Sequence, residues 1–279
     1  VYDPGCDTEE IYERSVRDAI VRNVVQGYNG TVFAYGQTGS GKTFSITGGA
    51  EKFEDRGIIP RSIKMIFEGI KERADTHHTT VHLSYMQIYN NKAMDLLNRG
   101  KFARSMEELP GVTVHETEDE IVLKGLEAHP VTSSKDALNL LFLGDSNRES
   151  SETVMNPTSS RSHCILSVML ESRAHGSAIV TRSKLNLVDL AGSERVGKTG
   201  VTGTLLSEAK YINVSLFHLE HVIVALSERA DHIPFRDSIM TMALKDSLGG
   251  NCRTSMLAAG HPAEVHLPET ISTCRFAQR

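Results

Sequence analysis

Apolar residues follow two different spacings along this chain, and each spacing predicts a different kind of element. Five segments carry the β-branched or alternating apolar residues that are typical of strands: 31–35, 80–89, 164–170, 185–190 and 255–259. The LNLVDL segment at 185–190 is apolar almost throughout and has an acid near its end, which is typical of a central strand.

Two longer segments repeat their apolar residues at helical spacing. Segment 9–26 does so on one face, with Asp7 and Thr8 before it as candidate N-caps. Segment 205–226 does so at alternating steps of four and three. A coiled-coil seam has the same spacing, but the charges that flank such a seam are absent here, so a packed surface helix is favoured. The polar segment 99–111 predicts a loop.

The order of these elements predicts the fold class. Strands alternate with helices, which predicts an α/β domain whose central sheet is mixed and mainly parallel, with helices on both faces. Nothing in the composition divides the 279 residues, so we expect a single domain over 1–279.

Composition and charge narrow the function classes. Hydrophobic residues make up 39% and charged residues 23%, as in ordinary globular domains. The formal net charge of −5 argues against a nucleic-acid partner, which would favour a basic excess. The four cysteines lie far apart, so we expect reduced thiols in the core of a cytosolic protein. No apolar run is long enough to cross a membrane, and no signal peptide is visible.

One glycine-rich motif carries candidate chemistry. It matches the phosphate-loop pattern G-x-x-x-x-G-K-[ST] and consists of Gly36, Gln37, Thr38, Gly39, Ser40, Gly41, Lys42 and Thr43. The glycines allow backbone N–H groups to approach a β-phosphate, and the following helix offers its positive end to the anion. Lys42 is expected at the β- and γ-phosphates, and the Thr43 hydroxyl is expected to bind Mg²⁺. The motif follows a predicted strand and opens a predicted helix, so it predicts a nucleotide site.

A phosphate-loop enzyme also needs an acid near the metal. Asp189, close to the end of the 185–190 strand, is the candidate, although an aspartate there could also serve only as a turn or helix cap. Gly192 follows three residues later, where its backbone N–H could approach a γ-phosphate in a mobile loop. The N-K-x-D element of GTP-specific enzymes is absent from the sequence, so ATP is favoured.

Four motifs together resemble the kinesin motor family. They are YGQTGSGKT at 35–43, NPTSSRSH at 156–163, LVDLAGSE at 187–194 and HIPFRDS at 232–238, in the family's order over nearly the whole chain. Segments 208–213 and 271–279 resemble the ninth kinesin class, which is associated with cilia and flagella. The resemblance implies the kinesin motor fold, a microtubule-stimulated ATPase that requires Mg²⁺, and a location on cytoplasmic microtubules or in a cilium or flagellum.

The resemblance also implies roles for residues of the two switch loops. Ser160 would contact Mg²⁺ or the γ-phosphate, and Ser159 would hold the attacking water. Gly192 would donate its N–H to the γ-phosphate, while Arg161 and Glu194 would form a salt bridge that closes both loops over the nucleotide. Arg161 could otherwise be a simple surface cation.

Two further roles follow from the same resemblance. Phe44 would lie near the adenine, and Asn213 would link the nucleotide loop to the track-binding face. Family members also carry an earlier strand, an Arg-x-Arg-Pro element and a neck linker. Because the chain starts at Val1 and ends at Arg279, we expect it to be incomplete at its N-terminus and to lack the neck linker.

The expected partner is the acidic surface of the microtubule. The matching cations are Arg195, Lys198, Lys210 and Arg236. Ile239, Met242 and Val214 stand where the family often has cations, which predicts weaker and more salt-sensitive binding. Without the resemblance, these charges would be interpreted as ordinary solvated surface.

Three functions remain open at this point. The leading hypothesis is a motor ATPase, with a dimer possible through segments outside this chain and with neither nucleic acid nor membrane as a partner. The first alternative is a kinesin-like module that holds microtubules with little or no ATP turnover. The second is a phosphate-loop enzyme that acts on nucleic acid. A metal site at His218 and His221 is disfavoured because no further ligands are evident nearby.

Overall fold

The computed structural model describes residues 1–3, 5–49, 55–117, 121–150, 161–194, 204–249 and 251–279, without the side chains of 99, 150 and 204–212. The strands are β1 (Asn29–Gly36), β2 (His77–Tyr89), β3 (Lys92–Asp95), β4 (Gly111–Glu116), β5 (Ile121–Lys124), β6 (His129–Val131), β7 (His163–Ala174), β8 (Val180–Asp189) and β9 (Cys252–Ala259). The α-helices are α1 (Thr8–Tyr12), α2 (Arg22–Val25), α3 (Lys42–Ile46), α4 (Ile58–Glu72), α5 (Ser134–Ser150), α6 (Thr204–Ser227), α7 (Ile239–Ala243) and α8 (Leu267–Ala277).

Within these ranges the nine strands form one sheet in the order β5-β4-β3-β2-β7-β8-β1-β9, with β6 paired to β2. β1 runs parallel to both β8 and β9, whereas the other described pairs are antiparallel. The predicted mixed sheet is therefore confirmed, but the expectation that it is mainly parallel is wrong. Short connections explain the pairs β2–β3, β4–β5 and β7–β8, because parallel strands need a long crossover. β2 and β3 are joined by Asn90 and Asn91, both at positive φ, as a two-residue hairpin favours.

Helices cover both faces of the sheet, as the sequence predicts. Residues of β1 alternate between the two cores: Val32 and Ala34 face one, and Phe33 and Tyr35 face the other. The first core includes buried residues of α4 and α5, and the second includes those of α6, α7 and α8. Burial on both faces accounts for the continuous apolar run of this strand.

The predicted N-terminal helix is present with an unpredicted geometry. Helical structure runs from Thr8 to Val25, but its central part, Glu13–Val21, is π-helical. The Asp7 carboxylate accepts a hydrogen bond from the Glu10 N–H at 2.7 Å, so the predicted cap is confirmed. Apolar spacing does not distinguish a π-helical segment from an α-helical one at this length.

Helix α6 closely matches the predicted 205–226 segment, and it buries Leu216, Leu219 and Val222. The cysteine prediction is confirmed in part: all four thiols are free, but only Cys164 is buried and Cys274 is exposed. Over the described part of the chain, no helix has both the length and the apolar character needed to cross a membrane.

Candidate nucleotide site

The phosphate-loop motif lies between a central strand and a short helix, as its sequence predicts. β1 ends at Gly36 and α3 begins at Lys42. Gly41 caps the helix at a φ of 92°, a left-handed conformation that favours glycine. The loop therefore has the strand–loop–helix context that distinguishes a phosphate site from a chance match.

Position 36 requires glycine because the adjacent strand, β9, lies against its backbone. The φ of Gly36 is 153°, and a Cβ built there would lie 2.2 Å from the Ala259 carbonyl oxygen on β9. A backbone atom cannot move away as a flexible side chain can, so a larger residue would displace either the loop or β9. The first glycine of the motif thus allows the loop to lie against the end of the adjacent strand.

Lys42 is held inside the loop. Its side chain is buried, and its Nζ donates a hydrogen bond to the Gln37 carbonyl oxygen at 2.8 Å. Burial lowers the pKa of Lys42, and the charges of Asp189 and Glu194 partly oppose that effect. The amine is therefore desolvated and close to two acids, an environment in which a phosphate anion would stabilise its charge.

Thr43 and Asp189 meet at the carboxyl ends of two parallel strands. Ala34 of β1 is in register with Asp189 of β8, so the carboxyl ends of the two parallel strands lie at the same edge of the sheet. The Thr43 hydroxyl donates to Asp189 Oδ2 at 2.8 Å. Asp189 Oδ1 is buried without a hydrogen-bond partner among the described residues. An orphaned carboxylate oxygen beside a threonine hydroxyl matches the oxygen donors that Mg²⁺ and its bound waters prefer.

Arg148 was not predicted as a site residue. Both of its terminal nitrogens donate to Asp189 Oδ2 at 3.0 Å, and the two side chains are almost completely buried. Arg148 continues the buried face of α5 that Ala137 and Leu141 begin, at helical spacing. That periodicity is the sequence signal that could have identified it. A buried arginine in a helix needs an acidic partner.

A second, partly buried carboxyl, that of Asp145, lies one turn before Arg148 on α5. The Tyr85 hydroxyl donates to Asp145 Oδ1 at 2.9 Å. Burial raises the pKa of Asp145 to about 6, while the Tyr85 hydrogen bond and the charge of Arg148 oppose that rise. The contact fixes the end of α5 against β2, and therefore fixes the position of Arg148.

Glu194 has a partner in this structure that the resemblance did not imply. Its carboxylate accepts hydrogen bonds from the Thr38 backbone N–H at 2.8 Å and from the Thr38 hydroxyl at 2.6 Å. A Cβ on Gly192 would lie 2.3 Å from both Glu194 Oε2 and Thr38 Oγ1. The salt bridge of Glu194 with Arg161 stays a prediction for the nucleotide-bound protein.

The residues present fit a magnesium–nucleotide complex. The loop has the required backbone shape, and Lys42, Thr43 and Asp189 lie together where the loop ends and α3 begins. In the described part of the chain, no group of three or more His, Cys, Asp or Glu side chains could hold a metal by itself. Mg²⁺ in proteins is usually bound through one or two carboxylates together with substrate phosphate oxygens and waters, a donor set that Asp189 and a nucleotide could supply here.

Comparison with known proteins identifies the family of this chain. The sequence-family model of the kinesin motor domain matches residues 1–279. The chain belongs to the kinesin family. A solved fast kinesin, described with implications for its ATPase mechanism and its interactions with microtubules, matches with a TM-score of 0.90 and 39% identity. That match covers 100% of this chain and 77% of the solved one, so the predicted kinesin fold is confirmed.

Curated relatives support the resemblance to the ninth class. Kinesin-like protein KIF9 of Mus musculus is 45% identical over 96% of this chain, and kinesin-like protein KLP1 of Chlamydomonas reinhardtii is 42% identical over 98%. The aligned parts make up 34% and 35% of those two proteins, so the chain spans about a third of their length.

Several residues implied by the kinesin resemblance lie outside the described residues. These are Ser159, Ser160, Arg195 and Lys198, and the side chain of Lys210 on α6 is likewise not described. Phe44 lies on α3 with 48% of its surface exposed, so its ring is available to stack on a ligand. Its contact with adenine stays a prediction.

The remaining cation of the predicted track-binding face is exposed but paired. Arg236 lies in a single 3₁₀ turn, Phe235–Asp237, and its Nε donates to Glu116 Oε2 at the end of β4. Lys245 donates to the other oxygen of the same carboxylate. These two hydrogen bonds lower the pKa of Glu116 to about 2. The Glu116 partner was not predicted, because no local pattern relates residues 120 positions apart.

Proposed function

We propose that this chain is a motor ATPase, which binds Mg·ATP at loop 36–43, hydrolyses it, and couples the hydrolysis cycle to binding and release of microtubules. The observation that carries the proposal is the convergence of Lys42, Thr43 and Asp189 at the mouth of a phosphate loop in a kinesin domain. Phosphoryl transfer requires positioning and charge neutralisation more than covalent chemistry, and these residue types supply both.

Each residue of the loop has a separate task in this proposal. The backbone N–H groups of 36–43 bind the β-phosphate, and Lys42 leaves the Gln37 carbonyl to neutralise the β- and γ-phosphate oxygens. Mg²⁺, when bound, would neutralise phosphate charge through Thr43, Ser160 and waters held by Asp189. Phe44 stacks on the adenine from its exposed position on α3.

The switch loops act at the γ-phosphate. Gly192 donates its N–H to a γ-phosphate oxygen, and Ser159 holds the attacking water. Glu194 accepts a proton from that water through a second water, after it leaves Thr38 and pairs with Arg161. The Thr38 hydrogen bonds therefore keep Glu194 away from its hydrolytic position until the loops close.

The microtubule surface binds the cations of the predicted track-binding face, which are Arg195, Lys198, Lys210 and Arg236. Of these, Arg236 is exposed in the turn after α6. The similarity to KIF9 and KLP1 supports the ninth class, and we propose a location on the microtubules of a cilium or flagellum. The net charge of −5 gives no support to a nucleic-acid partner.

Nucleotide-dependent microtubule pelleting tests this function. The wild-type protein should bind a fluorescent ATP analogue only with Mg²⁺, and its pelleted fraction should differ between ATP, ADP and a non-hydrolysable analogue. Lys42→Ala should abolish analogue binding, whereas Lys71→Ala, an exposed lysine near the end of α4, should leave it unchanged.

The outcomes separate the three hypotheses. Pelleting that does not depend on the nucleotide, with no ATP turnover, would contradict the motor and support a passive microtubule-binding module. Binding to DNA rather than to microtubules would support the nucleic-acid enzyme. Binding of the analogue without Mg²⁺, or unchanged binding in Lys42→Ala, would remove the proposed phosphate site.

A further inference from the structure

One buried imidazole joins two elements that the proposed function requires to move together. The backbone N–H of Ala191, two residues after Asp189, donates to His163 Nδ1 at 3.1 Å. On the other side of the ring, His163 Nε2 lies 2.7 Å from the Ser215 hydroxyl on α6. The ring therefore bridges the loop that follows β8 and the long helix.

The direction of both hydrogen bonds is fixed by chemistry. Because the Ala191 N–H can only donate, Nδ1 must accept and cannot carry the proton. Burial and the nearby charge of Lys42 lower the pKa of His163 to about 3, so the ring is neutral near pH 7. Its one proton is therefore on Nε2, which donates to the Ser215 hydroxyl.

The ring itself has little freedom to adjust. His163 is the first residue of β7, is in register with Ile88 of β2, and is only 2% exposed. Ala191 and Leu216, the residue after Ser215, are also buried. Buried side chains in contact transmit small displacements to one another rather than absorb them. A shift of the Ala191 backbone must therefore move the ring or break one of the two hydrogen bonds.

A cavity beside this contact leaves space for the helix to move. It has a volume of about 120 Å³, and its lining includes His163, Val214, Ser215, Asp237 and Met240. The cavity thus lies between the end of the sheet, α6 and the turn that carries Arg236. Such space is what a helix needs if it has two positions relative to a rigid sheet.

We propose that His163 is a positioning residue that transmits movement of the 190–194 loop to α6 through the Ser215 hydroxyl. The inference rests on the proposed function, since it names a residue pair that would couple the γ-phosphate to the track-binding helix. It assigns no chemical step to His163, because the ring faces Ala191 and Ser215 rather than the phosphate loop.

The test is a Ser215→Ala variant of the protein, because it removes the acceptor without altering the buried ring. The matched control is Ser227→Ala on the same helix, where the hydroxyl donates to the Val224 carbonyl within α6. Ser215→Thr keeps a hydroxyl and serves as the rescue variant. Each protein is assayed for basal ATPase, microtubule-stimulated ATPase and affinity for a fluorescent ADP analogue.

We expect the basal ATPase rate and the ADP affinity of Ser215→Ala to stay within about twofold of wild type. The factor by which microtubules stimulate its ATPase should fall about five- to tenfold, which is within the usual range for coupling between two sites. Ser227→Ala and Ser215→Thr should keep most of the stimulation. The inference is overturned if Ser215→Ala is stimulated as strongly as wild type. It is also overturned if basal and stimulated rates fall by the same factor, which would indicate a purely structural role.

A second variant tests the ring directly. Asparagine at 163 places its Oδ1 near the position of Nδ1, so His163→Asn keeps an acceptor for Ala191 but has no atom at Nε2. We expect it to lose stimulation as Ser215→Ala does, and the double variant to be no worse than either single one. Additive losses in the double variant would contradict a shared path.

Hydrogen exchange gives a readout that needs no microtubules. In wild type, adding a non-hydrolysable ATP analogue with Mg²⁺ should change amide exchange in the 213–227 part of α6, and Ser215→Ala should reduce that change. A wild-type protein whose α6 exchange responds to the nucleotide but whose ATPase ignores microtubules would contradict the proposed function alone. An equal response in wild type and variant would contradict the His163 inference alone.

Discussion

Two carboxylates in this domain bind cationic partners in similar ways, but in opposite surroundings. Asp189 accepts hydrogen bonds from Thr43 and Arg148 and is 2% exposed. Glu116 accepts hydrogen bonds from Arg236 and Lys245 at the surface, where the Arg236 side chain is 79% exposed. The first cluster joins the phosphate loop to α5, and the second joins β4 to the predicted track-binding turn.

The two clusters differ in how well water can solvate their charges: the Asp189 cluster is buried, whereas the Glu116 cluster is at the surface. A buried charge that loses its partner cannot be solvated, so the Asp189 cluster resists rearrangement. An exposed pair exchanges readily with water and salt, and it contributes little to stability. The buried cluster is thus suited to hold the candidate metal site in one geometry, and the exposed cluster is suited to release its cations to an acidic partner. The contrast predicts a large loss of stability at the buried cluster and small, salt-dependent effects at the exposed one.

The largest effect should follow from Arg148→Met, which leaves the Asp189 charge buried without its cation. We expect it to destabilise the fold by about 3–5 kcal/mol in chemical unfolding, as the loss of one member of a buried pair does. Arg182→Met, in the exposed pair of Arg182 with Glu171, is the control and should change stability little. Equal losses of unfolding free energy in Arg148→Met and Arg182→Met would contradict the proposed difference between buried and exposed pairs.

Gly192→Ala should uncouple hydrolysis from binding. The added methyl group would displace Glu194 and obstruct the approach of the Gly192 N–H to the γ-phosphate. We expect about a hundredfold loss of the maximal ATPase rate, the size of effect that a displacement of about 1 Å can have, with ATP affinity near normal. Gly111→Ala is the control, since a Cβ there meets nothing within 4 Å. Unchanged turnover would remove Gly192 from this role.

Asp145→Asn should flatten the pH dependence of stability between about pH 4 and 6. Burial raises the folded-state pKa of Asp145 to about 6 from 3.8, so the folded protein holds this proton more tightly than the unfolded chain. The resulting stabilisation is present at low pH and is lost as pH rises through about 6. We expect wild type to lose about 1–2 kcal/mol relative to the variant over this range in chemical unfolding. If the free energies of unfolding of wild type and Asp145→Asn changed in parallel with pH, the raised pKa assigned to Asp145 would be contradicted.

The smallest effects are expected at the exposed cluster, and they should have opposite signs. Arg236→Ala should weaken microtubule binding about two- to fivefold, whereas Glu116→Gln should strengthen it by a similar factor because both cations are released. Co-pelleting at low and at high salt measures both variants, and both differences should shrink at high salt. Glu171→Gln, an exposed carboxylate on β7, is the control. Weaker binding in Glu116→Gln would show that Glu116 orients Arg236 rather than competing for it.

The sequence predicted the parts of the fold that depend on local patterns. The strand before Gly36, the helix α6 and the Asp7 cap depend on neighbouring residues, so spacing and residue type were sufficient. The strand directions were predicted less well, because they depend on how the short connections fold. The Asn90-Asn91 turn forces β3 to run antiparallel to β2, a signal that could have been recognised in the sequence.

The candidate site likewise contains residues that local motifs predict and contacts that they do not. Lys42, Thr43 and Asp189 belong to short motifs whose chemistry dictates their residue types, so they could be predicted. The pairing of Arg148 with Asp189 and that of Glu194 with Thr38 could not be predicted, because each joins residues far apart in sequence. Arg148 lies 41 positions before Asp189, and Thr38 lies 156 positions before Glu194. Such pairs are created by the packing of the sheet and its helices.

The most direct test of the account is the steady-state ATPase rate of the protein with Mg·ATP, measured against increasing concentrations of tubulin polymer. We predict a low basal rate that requires Mg²⁺ and that rises with the polymer to a plateau, and the loss of both rates in Lys42→Ala. A rate that stays the same at every polymer concentration, or one that survives in Lys42→Ala, would contradict the account.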